Sequence, residues 1–276
     1  MRVIKSQVVT SVVRELCRKA NIDLRKDVLT KLKQSLRKEK NRLARNVLKL
    51  IIENARIARK DNLAICQDTG IPVVFVEVGK DVFVRGNSLE VSIQKGIKLG
   101  YKKASLRNSI IKDPLRISGQ SSHFGPTITH YSYNNSTKIK ITILPKGFGC
   151  ENKSQLKMFL PTAKLDDIKK FIIEVVNVAG PDACPPYVVG VGIGGTADYA
   201  AFLSKKALLG SISGKSSKLE DELLKGINKL NIGPMGLGGN TTALAVKVLM
   251  HPTHIAGLPV AVNISCHALR SAIKIL

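Results

Sequence analysis

Three of the five cysteines stand in distinct, turn-like contexts far apart along the chain, and this restricts the fold more than any other feature. Cys66 lies in Cys-Gln-Asp-Thr-Gly, Cys184 in Cys-Pro-Pro, and Cys266 in Ser-Cys-His-Ala-Leu-Arg. Thiolates that are distant in sequence and converge in space suit an iron–sulfur cluster, and three of them leave one iron open to a substrate. The sequence therefore predicts a fold whose loops bring these cysteines together.

The composition is that of a folded, cytoplasmic chain. With 276 residues, of which 44% are hydrophobic, it can build one large core or two smaller ones. No apolar run is long enough to span a bilayer, and the first residues lack the apolar core of a signal peptide. Five cysteines at irregular spacings argue against a secreted disulfide framework and for reduced thiols. We therefore expect a cytosolic location.

The formal net charge of +24 is the main argument for a different function, because basic proteins neutralise nucleic-acid phosphates. Much of the excess lies between Arg25 and Lys60, where basic residues alternate with Leu and Ile as on the solvated face of amphipathic helices. Aromatic residues make up only 4% of the chain, which leaves few platforms for stacking bases. A lysine-rich surface, or docking to an acidic partner subunit, explains the charge better than nucleic-acid binding.

Hydrophobic periodicity predicts a mixed α/β fold. Helical spacing occurs at residues 6–20, 25–60, 89–103 and 165–178. Strand patterns occur at residues 73–76, 139–143, 187–192 and 258–264, and the second of these alternates like a half-buried strand. We expect a single domain over residues 1–276, in which a helical N-terminal layer (1–60) packs on a body that contains a β-sheet (61–276), with the cluster ligands on loops.

Two glycine-rich segments mark places where the backbone could approach a ligand closely. Residues 190–196 follow a strand and open a helix at Ala197, but they match a dinucleotide fingerprint poorly, because the third glycine comes one residue early. Packing alone explains this turn nearly as well. Residues 233–242 precede a helical pattern at 243–249. Two such loops aimed at helix starts would serve a small dianionic substrate.

Asp68 is the most interesting carboxylate, because it lies two residues after Cys66, where it could move a proton to or from a substrate. An Asp before Thr-Gly more commonly forms a local turn with backbone amides. His251 and His254 flank Pro252 and Thr253, and their spacing alone favours ordinary surface histidines over metal ligands.

The remaining two cysteines need separate explanations. Cys150 could supply a fourth thiolate, which would close the cluster and indicate electron transfer. Cys17 lies among apolar residues on a helical face, where a cysteine is most often an inert core residue.

Six segments together resemble class I fumarate hydratase and L-tartrate dehydratase, over nearly the whole chain. They lie at residues 66–70, 106–109 with 113–115, 146–154, 184–186 followed by 190–196, 233–242 and 251–270. The resemblance is to the alpha subunit, or the N-terminal domain of single-chain members. It implies a 4Fe-4S cluster ligated by Cys66, Cys184 and Cys266, whose open iron coordinates the substrate. Cys150 stands where the family usually has serine, which implies that it is not a ligand.

The same resemblance implies substrate contacts for Gln67, Asp68, Arg107, Gly149 and His254. The implied reaction is the reversible hydration of fumarate to (S)-malate, in which the open iron acts as a Lewis acid on the hydroxyl group. Arg107 would hold one carboxylate bidentately, and Asp68 would handle the proton on the hydroxyl side. His254 corresponds to the family's active-site histidine, so Asp68 and His254 are the two catalytic candidates.

In this family the base that abstracts the carbon proton belongs to a beta portion. The sequence ends at Leu276, ten residues after Cys266, and we therefore expect a separate beta subunit and an alpha chain that is inactive alone. L-Tartrate is an alternative substrate that the sequence does not separate from malate. An electron carrier that uses Cys150 and a nucleic-acid-binding protein are more distant alternatives.

Overall fold

Residues 2–115 and 122–276 are described by the computed structural model, and they form a mixed α/β fold, as predicted. The helices are α1 (Ser6–Ile22), α2 (Lys26–Lys38), α3 (Arg42–Asp61), α4 (Leu89–Lys103), α5 (Phe148–Glu151), α6 (Leu165–Ala179), α7 (Ala197–Ala207) and α8 (Lys218–Asn228). The strands are β1 (Arg2–Lys5), β2 (Ile71–Gly79), β3 (Val82–Arg85), β4 (Ile128–Asn134), β5 (Ile139–Lys146), β6 (Gln155–Phe159), β7 (Tyr187–Gly194), β8 (Ala243–His251), β9 (Leu258–Ser265) and β10 (Ala272–Ile275). No helix in these two ranges has the length and hydrophobicity needed to cross a bilayer.

The chain divides into two compact units, each with its own core and main sheet. Unit 1 comprises Met1–Leu24, Ile57–Gly147 and Arg270–Leu276, and unit 2 comprises Arg25–Arg56 and Phe148–Leu269. The helices predicted near the N-terminus are confirmed, but α1 belongs to unit 1 and α2 to unit 2. The strand β1, which pairs in parallel with β3, precedes them and was not predicted.

Unit 1 is built on a four-stranded sheet with the order β10-β5-β2-β4. Strand β5 pairs antiparallel with both β10 and β2, and β2 pairs parallel with β4. Helices α1 and α4 pack on each other and bury apolar side chains, among them Val9, Val13, Ile93 and Ile97. The half-buried strand predicted at 139–143 is instead buried along most of its length; it is an inner strand of the sheet and α1 packs against it.

Cys17 belongs to the core of unit 1, as the sequence predicted. It lies on α1 and is 0% exposed, packed in one cluster with residues of α4 and β5. Burial raises the pKa of its thiol far above the ordinary range, because the apolar surroundings disfavour the thiolate. Cys17 therefore lacks the reactivity that a ligand or nucleophile needs.

Unit 2 contains a second four-stranded sheet, with the order β6-β9-β7-β8. Strand β9 pairs antiparallel with β6 and β7, and β7 pairs parallel with β8. Helices α6 and α8 pack on each other, and the core between helices and sheet includes Ile172, Val176, Val189 and Leu223.

Residues 243–249 form part of strand β8, and the helix predicted there is wrong. The strand pairs with β7 from Tyr187 to Gly194, and its first four residues are buried. An apolar run buried on both sides is typical of a strand in a parallel pair, and periodicity alone does not separate it from a buried helix. The loop at 233–242 therefore leads into a strand, not a helix start.

The glycines at 190 and 192 lie within β7 and allow α7 to pack directly on the strand. A Cβ at Gly190 would overlap the carbonyl oxygen of Ser204, and a Cβ at Gly192 would overlap that of Ala200. The helix begins at Ala197, as predicted. Helix–strand packing, rather than the approach of a ligand, therefore accounts for these two glycines.

Candidate active site

The predicted site residues fall into two groups, one in each unit. Unit 1 holds Cys66, Gln67, Asp68 and Arg107, and unit 2 holds Gly149, Cys184, His254 and Cys266. Within residues 2–115 and 122–276, no three His, Cys, Asp or Glu side chains form a group ready to hold a metal ion. Convergence of all three cysteines therefore stays a prediction. The positions and hydrogen bonds of the site residues are described within each unit.

The turn at residues 66–70, named here the Asp68 turn, precedes β2 and presents polar groups at the surface of unit 1. Cys66 and Asp68 are half-buried and Gln67 is exposed. The Cys66 thiol donates to Gln67 Oε1 at 3.3 Å, and Asp68 Oδ1 accepts a hydrogen bond from Gly70 N at 2.9 Å. Asp68 therefore closes a local turn while its carboxylate stays partly accessible to solvent.

Tyr101 of α4 holds the second half of the Asp68 turn from the core. Its hydroxyl donates to Thr69 O at 2.9 Å and lies 3.2 Å from Gly70 O. Burial is the main cause that raises the pKa of this hydroxyl far above its ordinary value, so Tyr101 remains a neutral donor. Thr69 Oγ1 in turn accepts a hydrogen bond from Arg107 N at 3.0 Å, which fixes the main chain of Arg107 while its side chain is exposed.

Arg270 and Asn21 hold the first half of the turn. Arg270 Nη2 donates to Asp68 O at 2.8 Å, and Nη1 donates to Asn21 Oδ1 at 3.1 Å. Asn21 O accepts a hydrogen bond from Ile65 N at 2.9 Å, directly before Cys66. Both Asn21 and Arg270 are buried, so the turn rests on a polar network that solvent does not reach.

The end of β5 lies against the same turn. A Cβ at Gly70, whose φ is +69°, would lie 2.7 Å from the main-chain carbonyl of Lys146. A Cβ at Gly147 would lie 3.1 Å from Asp68 Oδ2 and 3.9 Å from Arg270 Nη2. Lys146 is only 2% exposed and Arg270 only 3%, so unit 1 buries two cationic side chains beside the turn. Such a positive environment favours an anionic ligand.

In unit 2, Cys184 adopts a strained backbone conformation. Its φ is +57°, in the left-handed region that residues other than glycine rarely adopt. Cys184 N donates to Pro181 O at 3.2 Å, and Cys184 O accepts a hydrogen bond from His267 N at 3.4 Å. Strain of this kind is costly and concentrates at functional sites, which makes Cys184 a functional candidate on structural grounds.

Cys184 and Cys266 lie at the same end of the strands in the sheet of unit 2. Cys184 precedes β7 and Cys266 follows β9, and Val188 of β7 pairs with Ser265 of the antiparallel β9. His267, next to Cys266, also places its Nδ1 3.1 Å from Cys184 O. The structure therefore brings two of the three predicted ligands together within this unit.

The glycine loop, residues 233–242, and helix α5 lie at that end of the strands too. Met235 N donates to Pro185 O at 2.8 Å, and the Cys150 thiol on α5 donates to Ala183 O at 3.3 Å. Gly149, beside Cys150, is exposed, and a Cβ there would meet no atom within 4 Å. Its main chain is thus open to a ligand, as its predicted role as a backbone contact requires.

His254 lies at the opposite end of these strands. It belongs to the loop before β9, whereas Cys266 follows β9, and a strand of 8 residues spans roughly 25 Å. Thr253 beside it donates to Gly195 O at 3.0 Å, at the far end of β7. His254 is exposed, and its Nδ1 accepts a hydrogen bond from Ala256 N at 3.2 Å. Unit 2 therefore does not bring His254 together with the two cysteines.

The exposure of the five cysteines separates the predicted ligands from the others. Cys66, Cys184 and Cys266 are partly exposed, whereas Cys17 and Cys150 are buried. A cluster can reach thiolates at a surface without opening a core, and it cannot do so at Cys17 or Cys150. Three accessible thiols are the donor set that an iron–sulfur cluster takes, so the residues present fit such a group.

Sequence analysis missed five residues of this site: Asn21, Tyr101, Lys146, His267 and Arg270. Asn21 and Tyr101 lie in amphipathic helices and carry no local signal of a site. Lys146 and Arg270 are each a charged residue directly after apolar residues, which does not by itself indicate burial. A charge in that position is expected to be buried only where a ligand or a polar network needs it.

Comparison with known proteins agrees with the motifs. The family model for fumarate hydratase (Fumerase) matches residues 10–274. The chain belongs to the fumarate hydratase family. It is 41% identical over 280 residues to "Putative L(+)-tartrate dehydratase subunit alpha" of Methanocaldococcus jannaschii, with 96% of each chain covered. It is 30% identical over 251 residues to the L(+)-tartrate dehydratase subunit alpha of Escherichia coli K12, covering 88% of this chain and 82% of the relative.

The match confirms the resemblance drawn from the six sequence segments. Members of the fumarate hydratase family are hydro-lyases, so the chain is a hydro-lyase family member. The family model extends over Cys66, Cys184 and Cys266 and over most of both units. Both groups of site residues therefore lie within the matched region.

Proposed function

We propose that the chain is the alpha subunit of an iron–sulfur hydro-lyase that interconverts (S)-malate and fumarate. The observation that carries the proposal is the exposure pattern of the cysteines within a fumarate hydratase family member: the three at the predicted ligand positions are accessible, and the other two are buried. The relatives named above are themselves alpha subunits, which supports the need for a beta subunit. A single functional domain over residues 1–276 and a cytoplasmic location, where such thiols stay reduced, belong to the same proposal.

Cys66, Cys184 and Cys266 would together hold a 4Fe-4S cluster. When bound, a cluster with one iron not ligated by protein supplies a Lewis acid for the substrate hydroxyl group. The strained backbone of Cys184 supports its part in this set, because the contact with His267 keeps the residue in one conformation. Cys150 is left out, because its buried thiol donates to Ala183 O inside unit 2.

The carboxylates of the substrate would be bound by side chains and main chain from both groups. Arg107 has an exposed guanidinium on a main chain that Thr69 fixes, which suits a bidentate contact with one carboxylate. Gln67 is exposed on the Asp68 turn and Gly149 offers an open backbone. The buried cation Lys146 adds a positive field that favours a dianion.

The reaction needs acid–base chemistry and no change of oxidation state. Dehydration of malate breaks one C–H bond and the C–O bond, forms the double bond, and releases water. Asp68, half-buried and close to Cys66, would give a proton to the departing hydroxyl group and take it back during hydration. The base for the carbon proton is proposed to lie on the beta subunit. The role of His254 stays a prediction, since its unit places it away from Cys184 and Cys266.

L-Tartrate is the second candidate substrate, and the names of the relatives favour it. Tartrate is malate with a further hydroxyl group, and its dehydration yields oxaloacetate. A site that hydrogen-bonds this extra hydroxyl group would reject malate strongly, because its polar groups would be left unpaired. A site without such a partner would separate the two substrates less well, with kcat/KM values that differ by about 100-fold.

The experiment is a direct comparison of substrates with the alpha–beta complex, reconstituted anaerobically with iron and sulfide. We expect formation of fumarate from (S)-malate with a kcat/KM at least tenfold above that for oxaloacetate formation from L-tartrate. The opposite ratio would assign the second candidate. Absence of activity on both substrates in a complex that carries iron would contradict the proposal.

Two variants test the assigned residues in the same assay. Asp68→Asn should lower kcat by about 100-fold or more, because it removes the group that transfers the proton. Arg107→Gln should raise KM for either dicarboxylate. The matched control is Arg56→Gln, which removes an exposed ion pair with Glu53 and should leave the kinetics unchanged.

A further inference from the structure

One buried guanidinium beside the Asp68 turn has no part in the steps proposed above. Arg270 precedes β10, follows Cys266 by four residues in sequence, and is 3% exposed. Its hydrogen-bond partners are two uncharged oxygens, Asp68 O and Asn21 Oδ1. Its Nε is buried and has no hydrogen-bond partner among the residues that the structure describes.

Stability alone does not explain this arrangement. A buried cation costs several kcal/mol in desolvation, and an unsatisfied buried donor costs roughly 1–3 kcal/mol more. An apolar side chain at position 270 would avoid both costs. The arrangement is better explained by what the guanidinium holds, which is the main chain of the Asp68 turn.

The geometry specifically requires arginine. Nη1 reaches Asn21 Oδ1 at 3.1 Å while Nη2 reaches Asp68 O at 2.8 Å, so one planar group spans two fixed acceptors. Asn21 is itself anchored, because its Nδ2 donates to Cys17 O at 3.0 Å within α1. The guanidinium therefore connects the Asp68 main chain to a rigid helix, and a lysine ammonium could satisfy only part of this geometry.

The same guanidinium lies beside the Asp68 carboxylate. The position that a Cβ of Gly147 would take is 3.1 Å from Asp68 Oδ2 and 3.9 Å from Arg270 Nη2. The Asp68 carboxylate and the Arg270 guanidinium thus both lie near Gly147. The hydrogen bond from Arg270 Nη2 to Asp68 O fixes the main chain of Asp68, from which that carboxylate extends. Movement of the Asp68 main chain would displace the carboxylate with it.

We propose that Arg270 is a positioning residue, which holds the Asp68 main chain so that the Asp68 carboxylate meets the substrate in one orientation. The proposal rests on the function given above, because it assigns Arg270 to the same reaction. Arg270 does not contact the substrate in this account. Its loss should therefore lower kcat and leave KM nearly unchanged.

The test uses Arg270→Gln and Arg270→Lys in the alpha–beta complex, with Arg18→Gln as the matched control. Arg18 also lies in unit 1 and donates to an asparagine, Asn62 Oδ1 at 2.7 Å, but its side chain is 35% exposed and its charge is paired with Glu15. Three quantities are measured: kcat and KM, iron per chain, and amide hydrogen exchange of peptides that cover residues 65–72.

We expect Arg270→Gln to lower kcat by about 100-fold, the scale of a displacement near 1 Å at the reacting groups, with KM changed by less than about threefold. Arg270→Lys should recover part of kcat. Iron content should match wild type, and exchange should rise in residues 66–70 and not elsewhere in unit 1. Arg18→Gln should match wild type in all three quantities.

Several outcomes would overturn the proposal. One is an unchanged kcat. Another is a rise in KM at constant kcat, which would indicate that Arg270 binds the substrate directly. The third is faster hydrogen exchange throughout unit 1, which would indicate a general stabilising role. If Arg270→Gln does not fold, Asn21→Ala tests the same proposal. It removes the side chain that supports the Arg270 guanidinium and should also lower kcat. A wild-type complex inactive on both substrates would refute the proposed function, and hydrogen exchange would still decide whether Arg270 holds the turn.

Discussion

Cys66 and Cys184 are held in place in opposite ways. The Asp68 turn, which contains Cys66, is fixed by the buried side chains of Tyr101 and Arg270, which bind its main chain, and the Asn21 side chain supports Arg270. Cys184 is fixed by its own backbone, with φ at +57° and main-chain hydrogen bonds to Pro181 and His267. One position depends on distant side chains, and the other depends on local backbone conformation.

The two kinds of support determine which substitutions each region tolerates. A polar network loses its effect when any one member is removed, because the partners left behind are buried and unsatisfied. A strained backbone instead responds to residues that change the cost of the conformation itself. The two regions should therefore respond to different variants, and the predictions below test this in order of decreasing effect.

The largest effect is expected where a side chain would separate the turn from β5. Gly70→Ala places a Cβ 2.7 Å from the main chain of Lys146 at a residue with φ of +69°, and should cost about 3 kcal/mol of unfolding free energy. Urea unfolding followed by circular dichroism measures it. The control is Gly214→Ala, whose Cβ would lie 3.9 Å from its nearest neighbour, Ser211 Oγ. Equal midpoints for the two variants would show that the turn is not closely packed on β5.

A smaller effect, of opposite sign, is expected at Cys184. Cys184→Gly should raise the stability of the apoprotein by about 1 kcal/mol, because glycine adopts a φ of +57° without strain. Cys66→Gly should instead lower stability, since Cys66 is absent from the described residues with positive φ, glycine there adds entropy to the unfolded chain, and the thiol contact with Gln67 is lost. Both are compared by urea unfolding without iron. A loss of stability in both variants would contradict a strained Cys184.

The smallest effect concerns acid stability, to which the units contribute differently. Burial raises the pKa of Glu220, but hydrogen bonds from Ser217 N, Val248 N and Lys247 lower it more, so the net pKa lies below 4.5. The stabilisation is therefore complete above the unfolded value and is lost as pH falls through the lower folded value. The network of Asn21, Tyr101 and Arg270 contains no carboxylate of its own.

We therefore expect Glu220→Gln to flatten the decline in thermal midpoint below about pH 4.5, while Tyr101→Phe, which removes no charged group from the network, keeps the wild-type slope. Thermal unfolding at a series of pH values measures the slopes. An unchanged slope in Glu220→Gln would show that other carboxylates of unit 2 dominate its acid response.

Sequence reasoning succeeded where local pattern and local chemistry determine the structure. The predicted helix at 89–103 coincides with α4, and the turn of Asp68 onto Gly70 N follows from Asp-Thr-Gly. It failed at β8, where an apolar segment with alanines and leucines resembles a helix and only pairing with β7 decides. The division into two units was also not visible, because it depends on contacts between distant segments.

Burial of Lys146 and Arg270 was beyond the sequence for a related reason. Charged residues are mostly exposed, and no local signal shows that β5 becomes an inner strand or that Asn21 comes to face Arg270. The context of Cys17, by contrast, predicted its burial correctly, because apolar helical faces lie in cores, whereas the burial of Cys150 was not predicted.

Three accessible cysteines, and not Cys150, are proposed to hold the cluster. Iron and acid-labile sulfide per chain, measured after anaerobic reconstitution of single serine variants, distinguish the two sets of cysteines. We predict about four irons in wild type and in Cys150→Ser, and their loss in Cys66→Ser, Cys184→Ser and Cys266→Ser. Loss of iron in Cys150→Ser, or its full retention in any of the other three variants, would contradict the account.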